Sequence, residues 1–440
     1  MKNEKNLLYS KRAKRLIPGG AHTYSKGDDQ FPENAPKIIE RGLGAKLWDV
    51  DGNEFLDFGM SLGSVLLGHA YEPVLEAVRN EIKKGVNFVR PSIIEGELAE
   101  LINETIPCAE MVKFAKNGSD AVTAAVKLAR AYTGRDYIAR CSADPFNAVH
   151  DWFIGSTVVN RGVPKVVQDL TLKFNYNDLK SCETLFDQHP GQIAAFILEP
   201  LSMIAPEPGF LEGLQALCKK NGTVLIFDEV VSGFRFSLGG AQEKLGITPD
   251  LAAFGKAMAN GFSVSALVGK KEIMELGGLD HKGERVFLLS TTHGGETHSL
   301  AAAIKTITEI RDKKLIPHFW SVGSKLKEGI LSAASRSGLQ DFVQMIGFDC
   351  KPALILKDKS GVPNAELRTL FLQETVERGL LIPYMVPGFA HGEAELKRAL
   401  EIIEDSFNSI KKKMEDSDIG SNLLGDPVKP VFRKFNSDLA

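Results

Sequence analysis

Hydrophobic residues recur along this chain in two rhythms, and the change between them outlines a fold before any residue is read for chemistry. In "VLEAVRNEIKKG", "GELAELINETI" and "DAVTAAVKLARAYTG" apolar positions return every three to four residues, which predicts amphipathic helices. Between them lie short, nearly unbroken apolar runs: "MVKFA", "YIARCS", "AAFILEP", "TVLIFDEV" and "SALVG". Runs of this kind suit strands covered on both faces. Helix and strand alternate from about residue 70 to 290, so an α/β domain is expected, with a mostly parallel central sheet flanked by helices.

The two ends are patterned differently. A helical segment stops at Pro18-Gly19-Gly20, and "KIIERGLGAKLWDVDGNEFLDFG" alternates around Asp51-Gly52, the signature of a hairpin turn. After residue 300 comes a long helical stretch, two strands in "FVQMIGFDCKPALILK", and two more helices. The expected organisation is an N-terminal segment 1–69, a large domain 70–300 and a C-terminal small domain 301–440, the outer two building a smaller α+β domain. Beyond about Glu415 the chain turns polar, and this tail reads equally as a swapped arm or a mobile end.

Composition narrows the partners. The 440 residues are 43% hydrophobic and 25% charged, an ordinary globular balance that supports a large and a smaller domain. A formal net charge of -3 gives no basic footprint for nucleic acid, and no apolar run is long enough for a membrane span. The five scattered cysteines, with no metal or redox spacing, point to a reducing, cytoplasmic setting, and the nine histidines show no metal spacing. The partner is expected to be a small molecule.

In open parallel sheets ligands bind at the carboxyl ends of strands, so polar residues that end apolar runs are examined first. "KFAKNGSDA" runs from a strand through Asn117-Gly118-Ser119 into a helix, whose first N–H groups make an anion site. Ser119 serves equally well there as a helix cap. Asp228 ends "TVLIFD", where an unpaired buried carboxylate would be costly and invites a cationic ligand; an ion pair with Arg235 is the alternative. Lys256, 28 residues later, stands in apolar company in "FGKAMANG", and a desolvated lysine amine readily forms a Schiff base with a carbonyl. Thr291 and Thr292, before two glycines and a helix, offer another donor set for an anion. A phosphate, a basic ring nitrogen and an aldehyde together match pyridoxal 5′-phosphate.

"NGSDA", "ILEP", "IFDEVVSGFR", "FGKAMANG" and "TTHGGE", in this order, resemble the class III, fold-type I pyridoxal-phosphate aminotransferases. "IPGGAHTYSKG" and "RGLGAKLWDVDGNEFLDFGMSLGSVLLGHAYEPV" are similar to the branch of glutamate-1-semialdehyde aminomutase. The resemblance implies that Lys256 holds the cofactor and moves the proton, that Asp228 pairs with the ring nitrogen, and that Val230 and Phe146 cover the two ring faces. Gly118 and Ser119 would hold the phosphate, and Thr292 would reach the phosphate of a neighbouring subunit, which implies a homodimer with shared active sites. His22, Tyr24 and Ser64 fall in segments that line the substrate side in the family, and His293 is a further candidate near the cofactor; Glu199, His150 and Trp152 are expected to be structural.

Two departures bear on the substrate. Phe146-Asn147-Ala148 stands where the family usually has Tyr-His-Gly, and Lys26 replaces the arginine that grips the aminomutase's substrate carboxylate. Lys26, Tyr24 and Asn147 are therefore the substrate-side candidates. The expected reaction is ping-pong transfer from an amino donor to a small or sugar-like aldehyde or ketone. An intramolecular aminomutase, other chemistry such as racemisation, and a catalytically idle homologue are the alternatives.

Overall fold

The structure is a computed structural model and describes residues 2–436. The chain divides into two compact units, one made of residues up to Tyr71 together with Pro317–Arg433, the other of Glu72–Ile316. The apolar stretch after residue 300 is two helices rather than one, Thr297–Asp312 and Ile316–Arg336. The chain turns between them at Lys314, which adopts a left-handed φ of 53°. Helix Thr297–Asp312 packs on helices Glu72–Ile82 and Ile93–Thr105, so it belongs to the larger unit.

The larger unit is built on a seven-stranded sheet. In spatial order its strands are Met111–Ala115, Ser265–Gly269, Leu251–Phe254, Val224–Asp228, Ile193–Leu198, Tyr137–Cys141 and Thr171–Phe174. Six share one direction and Ser265–Gly269 runs against both its neighbours. Its reversal brings Ser265 opposite Ala115, at the same edge where the other six strands end. The strands Ile193–Leu198 and Val224–Asp228 are buried at every position, which accounts for their unbroken apolar runs. "TLKF" carries too little apolar signal to stand out, yet it forms the edge strand Thr171–Phe174.

The smaller unit holds an antiparallel meander of Ile39–Leu43, Lys46–Asp49 and Glu54–Asp57, joined in parallel by Leu380–Leu381, and a separate hairpin, Val343–Phe348 with Lys351–Leu356. Residues 428–433 of its polar tail lie against the same unit. Val428 N–H donates to Thr369 Oγ1 at 2.8 Å, Lys429 N–H to the Asp29 carbonyl at 2.9 Å, and Arg433 pairs with Asp29 at 2.6 Å. Met60, Ser61 and Leu62 are all left-handed, with φ of 42°, 51° and 60°. Each such residue costs about 1–2 kcal/mol. The Asp57 carboxylate steadies this turn by accepting from Gly59 N–H at 2.8 Å, Met60 N–H at 3.2 Å and His69 Nε2 at 2.9 Å.

Candidate active site

Four strand ends of the larger unit converge on one place. Strand Met111–Ala115 passes through Asn117 into helix Gly118–Thr133. Asn117, not Ser119, is the cap: its Oδ1 accepts from Asp120 N–H at 3.1 Å. Ser119 is buried one turn-step further in, and its Oγ accepts from Val149 N–H at 3.1 Å, tying the loop of Phe146 and Asn147 to the helix start. Ser265 fixes the other side by donating Oγ–H to the Asn117 carbonyl at 2.7 Å.

Gly118 lies against Val230 so closely that an added Cβ would stand 2.7 Å from Val230 Cγ2. Only glycine fits there. On the other flank of Val230, a Cβ on Gly255 would fall 3.5 Å from Val230 Cγ1 and 3.9 Å from Gly118 Cα. Gly118, Val230 and Gly255 therefore form one wall, and Lys256 follows directly from it. Lys256 opens the 3₁₀ turn Lys256–Ala259 with a φ of 43°. A left-handed backbone is uncommon for a non-glycine residue and is a recurring mark of functional positions. Helix Thr297–Asp312 packs against this turn.

Asp228 is 3% exposed. Among the described residues both of its hydrogen bonds come from neutral N–H groups, Asn147 Nδ2 to Oδ2 at 3.0 Å and Val230 N to Oδ1 at 3.1 Å. Arg235 is not among its hydrogen-bond partners. Burial, then the nearby Glu199 charge, pushes the Asp228 acid up to about 7, while Asn147, Val230 and the Lys256 charge pull the other way. Asp144 is a third buried carboxyl in the group; its Oδ2 accepts from Glu199 N–H at 3.0 Å, and burial followed by Glu199 raises it well above the carboxylate range. Asp144 is not singled out by the sequence; it lies three positions past the end of strand Tyr137–Cys141, whereas Asp228 is the last residue of its own strand.

The other candidates separate. Phe146 remains 41% exposed with its ring edge-on to Phe153. Asn147, expected to face substrate, is instead buried and turned onto Asp228. Thr292 is exposed, its carbonyl accepting from Asn87 Nδ2 at 2.8 Å, and its hydroxyl makes no hydrogen bond among the described residues. His293 pairs with Glu296, which also holds Lys116 at 2.6 Å. His150 lies 3.4 Å from Asp120, and Trp152 is buried with its Nε1–H on Thr123 Oγ1. Tyr24 and Lys26 occupy an exposed 3₁₀ turn of the smaller unit, and Ser64 closes a local turn onto the Ser61 carbonyl.

These residues fit a flat ligand with a basic nitrogen and an anionic group. Among the described residues Asp228 takes its hydrogen bonds from neutral N–H groups, Gly118 and Gly255 bring bare backbone up to Val230, and the first N–H groups of helix Gly118–Thr133 have no partner inside the helix. No His, Cys, Asp and Glu group among the described residues could hold a metal, and no helix among them is long and apolar enough to cross a membrane.

The class III aminotransferase family model matches residues 29–407, and the chain belongs to that family. The 3-aminobutyryl-CoA aminotransferase of Cloacimonas acidaminovorans is 32% identical over 424 residues, 94% of this chain and 99% of that protein. Among solved structures, FumI of Sphingopyxis sp. MTA144 in its PLP internal aldimine form superposes with a TM-score of 0.84 at 26% identity, over 96% of this chain and 98% of that one. An omega-transaminase from Sphaerobacter thermophilus gives 0.82 at 27% identity, over 93% and 98%. The chain is thus a fold-type I aminotransferase that uses pyridoxal 5′-phosphate.

Proposed function

We propose that the amino group this enzyme transfers sits on a carbon beyond the α-position, as in a 3-aminoacyl compound. The relative that carries this reading acts, by its name, on 3-aminobutyryl-CoA, and the omega-transaminase points the same way. Lys26 in place of an arginine agrees with it, because a planar two-point grip on an α-carboxylate is then not required.

In this reading Lys256 is the covalent anchor and the acid–base group, and Asp228 faces the ring nitrogen. Val230 covers one face of the ring, Phe146 the other, and Gly118 with Ser119 receives the phosphate at the helix start. Bound there, the cofactor supplies an aldehyde that captures the amine and a ring that accepts the electron pair left by the departing proton. Lys256 Nζ would take that proton from the substrate carbon and, from the same side, pass it to the cofactor carbon. Asp228, as an anion, keeps the ring nitrogen protonated.

The reading includes a homodimer in which Thr292 reaches the neighbouring phosphate site. It is supported by exposed Phe88, Val89, Ile93 and Phe287 on the segments that Asn87 and Thr292 tie together. It also includes a cytoplasmic setting, supported by five cysteines that are all buried and unpaired.

The test is a panel of amine donors added singly to the holoenzyme, followed by the loss of the lysine-bound cofactor's visible absorbance and by keto product. Donors with a 3-amino or terminal amino group should convert the cofactor and release one equivalent of carbonyl product. Conversion by α-amino acids alone would sink the substrate assignment, and absence of any released product would favour the aminomutase alternative.

A further inference from the structure

Asn147 stands where three buried carboxyls meet, and its two polar atoms are treated unequally. Its Nδ2 donates to Asp228 at 3.0 Å. Its Oδ1 is buried without a hydrogen-bond partner among the described residues. An orphaned amide oxygen costs about 1–3 kcal/mol, so the side chain is kept for what its N–H does. Turning the amide over would set Oδ1 against the Asp228 carboxylate, and the orientation is thereby fixed.

We infer that Asn147 is a positioning residue for Asp228: its amide fixes the orientation of the Asp228 carboxylate among the buried carboxyls and favours its ionised form. The inference deepens the proposed role of Asp228 and rests on it. An amide neither gains nor loses a proton in the working range, so its donation always favours the ionised form of the group that accepts it. Asp228 has two such donors, Asn147 and Val230 N–H, and the Lys256 charge beside it. Asp144 has the Glu199 N–H on one oxygen and the Arg140 charge nearby. Arg140, however, directs its hydrogen bonds to Ser156 Oγ at 2.7 Å and the Cys141 carbonyl at 2.8 Å. Burial and Glu199 raise Asp144 well above the usual range.

The test starts with the full-length apoprotein and isotope-edited infrared spectra of its aspartate carboxyls, with Asp228→Asn identifying the Asp228 band. Asn147→Ala removes the amide, Asn147→Leu removes it while filling most of the space, and Asn147→His restores one ring N–H donor. Asp228 in the Ala and Leu variants should bind its proton about tenfold more tightly, a midpoint raised by about one unit, and the His variant should recover most of that change. With ¹⁵N-labelled cofactor bound, the ring-nitrogen signal of the Ala and Leu variants should move toward its unprotonated position. An unchanged Asp228 midpoint in a folded Ala or Leu variant would overturn the inference. Failure of both variants to fold would overturn it as well, because positioning one carboxylate does not require Asn147 for folding. If the midpoint moves but Asp228→Asn binds cofactor as the wild type does, this inference stands and the ring-nitrogen role of Asp228 falls.

Discussion

Asp228 and Glu229 are neighbours in sequence, both sealed from solvent, and they serve opposite ends. Successive side chains at a strand end point to opposite sides, so one carboxylate enters the cluster beside Lys256 and the other turns toward helix Ala241–Leu245. Glu229 receives four hydrogen bonds: Ser232 Oγ at 2.5 Å, Ala241 N–H at 2.6 Å, Gln242 N–H at 2.9 Å and Gln242 Nε2 at 3.3 Å. Asp228 receives two, among other carboxyls. A carboxylate whose lone pairs are filled by its own chain is a fastening, whereas one left short of donors next to a lysine is held ready for a ligand. Burial alone does not tell the two apart; the count of donors does.

The largest effect that comparison foresees is at Lys256, whose charge lies near Asp228. Lys256→Ala should abolish the visible absorbance of the bound cofactor and lower turnover by on the order of 10⁴-fold, the upper range for a positioned acid–base group. Retained absorbance and turnover would remove Lys256 from the centre of the site.

The next test sets the two carboxylates against each other. Asp228→Asn should lower turnover by on the order of 10²–10³-fold, the cost of a lost preorganised charge, while the apoprotein melts no earlier than wild type. Glu229→Gln should do the reverse. Its new NH₂ group would face donors instead of offering them an acceptor, and about 2–4 kcal/mol of stability should be lost with cofactor chemistry largely kept. Thermal unfolding of the two apoproteins beside single-turnover rates of the two holoenzymes decides it. If both variants unfold early, Asp228 is a fastening like its neighbour.

Much of this was legible in the sequence, for a physical reason. Strands covered on both faces must be continuously apolar, so "TVLIFD" and "AAFIL" announced themselves, and the polar residue ending each marked the ligand edge. The pairing inside that edge was not legible. Asn147 looked like a substrate residue because loop positions carry no register, and only the Ser119 to Val149 hydrogen bond shows how the loop is drawn back over Asp228. Asp144 carries no such mark because Ser142 and Ala143 separate it from the end of its strand at Cys141. The left-handed turn at Met60–Leu62 has no sequence signal at all, since "MSL" holds no glycine until Gly63. The edge strand "TLKF" and the break at Lys314 escaped for the same reason: each is set by what packs around it.

The smallest expected effect is a pH dependence, and its sign follows from the raised Asp228 acid. In the folded apoprotein this group titrates at about 7, above the roughly 3.9 of an unfolded aspartate. Between those two values the folded state binds more proton than the unfolded state, so the group's contribution to stability falls as pH rises from about 4 to about 7 and is flat outside that window. Asp144 and Glu229 are raised in the same direction, so the slope of the wild type alone does not isolate Asp228. The difference between wild type and Asp228→Asn does. That difference should fall as pH rises across the window in the apoprotein, gradually rather than in one step, because Asp228 titrates in company with the neighbouring buried carboxyls. With cofactor bound the slope should shrink, because a protonated ring nitrogen opposite Asp228 favours its ionised form at every pH in the window. Urea unfolding of both apoproteins at five or so pH values measures it, and a difference that stayed constant from pH 4 to 7 would mean that Asp228 is already fully paired by its own chain.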